Sequence, residues 1–142
     1  MSDPFDLERF VRAQANDYAR ALAEIKAGRK RSHWMWYVFP QFAGLGVSAT
    51  SQQYAIKSLD EARAYLAHQR LGPRLRECAD AVLGVSGRTA QDIFGRPDDM
   101  KLKSSATLFS LISSGGSIFH QIIDRYFDGI RDETTIELIR RS

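Results

Sequence analysis

The chain has 142 residues, 44% of them hydrophobic and 26% charged, with a formal net charge of +3. That balance excludes a disordered chain and supports one buried core, so a single domain over residues 1–142 is expected. The basic excess is small and forms no long stripe, which argues against a nucleic-acid partner, and one cysteine, Cys78, excludes an internal disulfide.

The first residues, Met1-Ser-Asp-Pro-Phe-Asp6, contain neither a basic start nor an apolar run. Nowhere do about 18 apolar residues follow one another, so no secretory signal or membrane span is expected, and the expected location is the cytoplasm. Ser2 or Asp3 before Pro4 signals a helix start. Leu7, Phe10, Val11, Tyr18, Leu22 and Ile25 then recur at helical spacing, predicting one helix of about five turns ended by Gly28. Glu8, Arg12, Asp17 and Glu24 fall on its polar side and read as solvated surface.

Next comes Arg29-Lys-Arg-Ser-His-Trp-Met-Trp-Tyr-Val-Phe-Pro-Gln-Phe42, a basic triplet leading into five aromatic side chains, both tryptophans among them. Ser32 can cap a helix and Pro40 would stop it, predicting a short helix from His33 to about Phe39. A strand stays open, because Trp, Tyr, Val and Phe also favour extended backbone. Gly44 to Lys57 is rich in Gly, Ser, Thr and Gln and reads as a long loop with an extended piece at Tyr54–Ile56.

Ser58-Leu-Asp-Glu61 is a capping box opening a helix to about His68. After Gly72-Pro73, Leu71, Leu75, Cys78, Ala79, Val82 and Leu83 describe another amphipathic helix, which makes Cys78 a buried, inert thiol. Thr89 caps a short turn ended by Gly95. Pro97-Asp98-Asp99 starts a helix running to about Ser113, Ser117 caps another to Phe127, and Asp132 caps the last. The expected fold is mainly α: an irregular single domain of six to eight helices around the central aromatic segment.

Several chemistries have no basis in this pattern. His33, His68 and His120 are too scattered for a metal motif, and no metal site is expected. Gly44-Leu-Gly46 lacks the βαβ context of a dinucleotide fingerprint, and Gly84 to Gly87 falls short of a nucleophile elbow. Two stretches carry more. Lys101, Ser104 and Ser105 lie at helical spacing and offer an ammonium and hydroxyls to a phosphate or carboxylate. The bland alternative is a solvated lysine beside serines at a tight helix contact. Most of Trp34 to Phe42 must be core, yet Trp36 can stack a ring, and His33 and Gln41 at its edges need polar partners from protein or ligand. Asp98 or Asp99, otherwise a helix-start acid cluster, could serve as a general base.

Gly28 to Gln41, the following Gly44-Leu-Gly-Val-Ser48, and Asp98-Asp-Met-Lys-Leu-Lys-Ser-Ser-Ala-Thr-Leu-Phe109 together resemble domain-of-unknown-function family 1810. Glu61-Ala-Arg-Ala-Tyr-Leu66, Leu71-Gly-Pro-Arg-Leu75 and Ile93-Phe-Gly95 extend the likeness over nearly the whole chain; Gln69 departs from it, where proline is expected. The resemblance implies a small, mainly helical intracellular protein without an assigned activity. Members are sometimes labelled calpastatin, a disordered inhibitor that this globular composition does not match. In size and polar–aromatic pattern the family is also similar to YbiA-like proteins linked to NAD and ADP-ribose. The expected function is binding of a small phosphorylated, nucleotide-like ligand, possible hydrolysis included, by His33, Trp36, Gln41, Lys101, Ser104 and Ser105. The rival expectation is a non-catalytic domain docking an acidic partner through Arg29–Arg31.

Overall fold

A computed structural model describes residues 2–142. Ten helices account for the regular structure among these residues: α1 (Glu8–Gln14), α2 (Tyr18–Lys26), α3 (Met35–Val38), α4 (Ala49–Gln53), α5 (Leu59–Ala67), α6 (Leu71–Leu83), α7 (Ala90–Phe94), α8 (Asp98–Ser110), α9 (Ile118–Phe127) and α10 (Glu133–Arg141). The all-helical class is as the sequence predicts, and the count of six to eight is too low. None of these helices is long and apolar enough to cross a membrane.

Two local events raise the count. The predicted first helix breaks at Ala15–Asp17, because its two halves face different partners. Phe10, Val11 and Gln14 turn toward α3, whereas Ala21 and Ile25 turn toward α6. Gln14 is buried at the break and donates to the Tyr37 carbonyl and the Tyr65 hydroxyl. The second event is α4, inside the predicted loop, where the Ser48 hydroxyl accepts from the Ser51 N–H. The extended piece expected at Tyr54–Ile56 is one isolated parallel bridge between Phe42 and Ile56.

Local capping signals translate directly. Thr89 and Asp92 form a reciprocal box on α7, and Ser117 caps α9. Ser58 accepts from the Glu61 N–H, but the Glu61 carboxylate turns to the Lys57 N–H instead of closing the box. Ahead of α1, the Asp3 carboxylate accepts from the Leu7 and Glu8 N–H groups. Asp132 does not cap α10 through its side chain, which is engaged with Ser104 and Thr135.

The core has two aromatic runs. Trp34, Phe39 and Phe94 meet with ring centroids 5.9 to 6.4 Å apart. Phe10, Tyr65, Phe109 and Phe119 form the other at 5.0 to 5.6 Å. The aromatic segment therefore does lie in the core, but it shares the centre with α8. From Ser104 to Ser110 every residue of α8 is buried, and it packs against α7, α9 and α10. The run of small hydroxyl residues in α8 thus fits a helix surrounded on all sides.

Candidate functional site

The face above α3 and α8 is assembled from three pieces of chain. Glu24 fixes the first. Its Oε1 accepts from the N–H of Arg31 at 2.8 Å, the N–H of Ser32 at 3.0 Å and the Trp34 Nε1–H at 2.9 Å, and its Oε2 accepts from Ser32 Oγ at 2.6 Å. Burial alone would raise this carboxyl, yet the hydrogen bonds from Ser32, Arg31 and Trp34 prevail and hold it at about 2. Glu24 is therefore no solvated surface residue. Ser32 is turned to it rather than capping α3, which begins at Met35 without a side-chain cap. Asp17, also expected to be solvated, accepts from the Tyr37 hydroxyl. These anchors send Trp34 into the core at 1% exposure and leave Trp36 half-buried at the surface.

Asp98 at the start of α8 joins this segment to the second piece. Its Oδ2 lies 2.8 Å from Lys30 Nζ and its Oδ1 lies 3.0 Å from Lys101 Nζ. Each ammonium also faces an indole: Lys30 stands 5.0 Å from the Trp34 ring centroid and Lys101 stands 3.9 Å from that of Trp36. Desolvation would raise the Asp98 carboxyl, but the two lysines keep it below the usual carboxylate range. The basic triplet is thereby split. Lys30 points inward with a side chain 7% exposed, while Arg29 and Arg31 remain exposed.

Arg9 clamps the third piece, the loop from Gln41 to Lys57. It donates to the carbonyls of Gln53 and Ala55 and pairs with Glu61 at 2.7 Å, with side chains 10% and 3% exposed. The bridge adds Ile56 N–H to Gln41 carbonyl at 2.9 Å and Ala43 N–H to Ile56 carbonyl at 2.8 Å. The loop closes tightly at Gly46, where a Cβ would stand 2.6 Å from Ser51 Oγ and 3.5 Å from the Trp36 ring. Only glycine fits there.

Between these pieces lies a cleft of two lobes. One, of about 310 Å³, is walled by Trp36, Gln41, Phe42, Leu45, Tyr54 and Lys57, among others. The second, also of about 310 Å³, is bounded by Pro97, Met100, Lys101 and Ser104. Trp36, Gln41 and Leu45 border both. Gln41 is 7% exposed, and its Nε2 is buried without a hydrogen-bond partner. A buried donor left unpaired is costly, which is why such groups usually find partners. The size of each lobe, the apolar walls and the few polar groups are within the range of small-molecule sites.

Of the residues singled out in the sequence, Trp36, Gln41, Lys101 and Ser104 come together on this cleft, with Asp98 behind Lys101. Ser104 Oγ is already bonded to Asp132 Oδ2 at 2.7 Å and to the Met100 carbonyl, so its hydroxyl proton is engaged. His33 is exposed and borders neither lobe; its carbonyl accepts from the Tyr37 hydroxyl. Ser105 is 1% exposed with an unpaired Oγ and borders neither lobe. Asp99 is buried, its Oδ2 held by Arg96 at 3.1 Å. Phe42, Leu45, Tyr54 and Lys57 complete the cleft and were not expected there. The only sequence signal for them is the Gly44–Gly46 spacing that lets the loop fold back. Cys78, as expected, is buried, and burial pushes its thiol up to about 12.

A family model described as protein of unknown function (DUF1810) matches residues 4–139. Among solved structures, the chain is similar to the conserved hypothetical protein Rv1873 from Mycobacterium tuberculosis, at 51% identity and a TM-score of 0.95. That match covers 97% of this chain and 99% of the other. No curated protein matches.

Proposed function

The chain belongs to the DUF1810 family of proteins of unknown function, and from that premise we infer that it binds a phosphorylated, nucleotide-like ligand in the two-lobed cleft. The observation that carries this reading is the unpaired, buried Nε2 of Gln41, a residue that borders both lobes together with Trp36. A flat heterocycle against Trp36 supplies the acceptor that this donor lacks. Lys101 on the second lobe and Lys57 at the rim of the first offer charge to a phosphate. An ADP-ribose or NAD-derived compound combines both features.

Binding alone is proposed. Asp98 is tied to two ammonium groups that favour its ionised form, which makes it a weak proton acceptor, and Asp99 is paired with Arg96 away from both lobes. Docking of an acidic protein through Arg29–Arg31 has less behind it, since Lys30 is turned inward to Asp98.

Titration with ADP-ribose, NAD and AMP, followed by thermal unfolding and by indole NMR, tests the reading. Saturation by one of them should raise the unfolding midpoint by several degrees. It should also shift the Trp36 indole signal more than that of the buried Trp34. Silence of both readouts with all three compounds overturns the proposal.

A further inference from the structure

We infer, resting on that reading, that the Gln41 carboxamide selects a ring edge carrying an amino donor beside an acceptor, as in adenine or a nicotinamide carboxamide. Gln41 Nε2 is a buried donor without a partner, in a residue more than nine-tenths buried that borders both lobes. The Gln41 main chain is fixed by the bond from the Ile56 N–H, so the amide projects from a held position.

A glutamine amide is planar, and its oxygen lies beside its nitrogen. A ligand group that accepts from Nε2 is therefore met at once by an acceptor, and only a neighbouring N–H donor pairs with it. Adenine presents this pattern along its N6 and N7 edge, the geometry by which Gln and Asn read adenine elsewhere. The carboxamide of a nicotinamide ring presents the same pair. A purine without the amino group, or a nicotinate carboxylate in place of the carboxamide, leaves the Gln41 oxygen without a donor to accept from. Trp36, which lines the same lobes as Gln41, supplies a flat wall to align the ring edge.

The experiment uses two matched pairs on the full chain: AMP against the 5′-monophosphate of purine riboside, which has neither the amino group nor an N1–H, and nicotinamide mononucleotide against nicotinate mononucleotide. Affinities are read by calorimetry and by the Trp36 indole signal. The amino member of at least one pair should bind on the order of tenfold tighter than the partner that lacks the donor. Gln41→Met, similar in volume but without the amide, should bring the two members of that pair within about twofold of each other. The variant should unfold no lower than the wild type, because it removes a buried donor without a partner.

Equal binding within both pairs overturns the edge selection and leaves nucleotide binding standing. No binding of any of the four overturns the edge selection, and silence of ADP-ribose and NAD as well overturns both. Loss of thermal stability in Gln41→Met also overturns it, since that places the amide's partner within the protein. The two nucleotide pairs distinguish an adenine from a nicotinamide occupant.

Discussion

The Nζ of Lys101 stands 3.9 Å from the centroid of the Trp36 ring while remaining 3.0 Å from Asp98 Oδ1. One ammonium thus contacts both the aromatic wall of the cleft and the acid that starts α8. Because Asp98 is shared with Lys30, the three groups carry a net positive charge. An ammonium has three donors, of which Asp98 takes one, so Lys101 keeps N–H groups for an anion on the second lobe. Lys101→Met should weaken AMP binding on the order of tenfold and leave adenosine binding nearly unchanged, since charge-assisted hydrogen bonds are worth about 1.5–3 kcal/mol. Calorimetry at two salt concentrations checks this: the wild-type affinity should fall with salt more steeply than that of the variant. Equal losses for AMP and adenosine would place the phosphate elsewhere.

Glu24 makes part of the stability depend on acid. Its carboxyl lies near 4.5 when free and at about 2 in the folded protein. A group with a depressed folded value contributes its stabilisation fully above the free value and loses it as pH falls through the folded one. Stability should therefore decline from about pH 4.5 toward pH 2, and Glu24→Gln should flatten that part of the profile. The glutamine variant should also be less stable at pH 7, because its amide nitrogen cannot accept from Ser32 or Trp34. Chemical unfolding across this pH range gives the comparison.

Arg9 and Glu61 form a pair that is nearly out of water, with further bonds from Arg9 to four carbonyls and from the Lys57 N–H to Glu61. Removing one partner strands the other charge. Glu61→Ala or Arg9→Ala should each cost about 3–5 kcal/mol, measured by urea unfolding. Both changes together should cost less than the sum of the single ones, as expected for groups acting as a unit. Additive losses would mean that the carbonyl contacts of Arg9, not the ion pair, hold the loop.

What the sequence makes legible here is what local chemistry decides. The starts of α5, α7 and α9 follow from Ser58, Thr89 and Ser117, because a cap is closed within one helical turn, and α8 starts after Pro97 with Asp98 and Asp99 in its first turn. The break at Ala15–Asp17 is not local; it follows from α1 and α2 choosing different neighbours. Glu24 looks like any solvated acid until Arg31, Ser32 and Trp34 return to it, and Arg9 meets Glu61 across 52 residues. Gln41 stood out as a polar side chain at the end of an apolar run, and it does border the cleft. His33 stood out for the same reason, yet α3 starts two residues later and His33 is exposed. Lys57 and Tyr54 gave no sign, since only the fold-back of the loop brings them to Trp36.

That fold-back depends on Gly46. A methyl group there would stand 2.6 Å from both Cβ and Oγ of Ser51, closer than real Cβ atoms come, with the Trp36 ring 3.5 Å beyond. Gly46→Ala must push Ser51 and α4 away or shift the loop backbone toward the indole, and overpacking of this kind costs about 1–3 kcal/mol. Because Trp36 borders both lobes, the same change should weaken nucleotide binding beyond the loss of stability. Shortening the facing residue provides the control. Ser51→Gly alone should cost a few tenths to about 1 kcal/mol, through helix propensity and the lost bond from Ser51 Oγ to the Ser48 carbonyl. Combined with Gly46→Ala, it clears the overlap, so the double variant should be more stable than the sum of the two single losses allows. Thermal and urea unfolding of the four proteins completes the cycle. The Trp36 indole NMR signal should move in Gly46→Ala and return toward the wild-type position in the double variant. Strict additivity, with the indole signal unmoved throughout, would show that Gly46 and Ser51 do not set the position of Trp36.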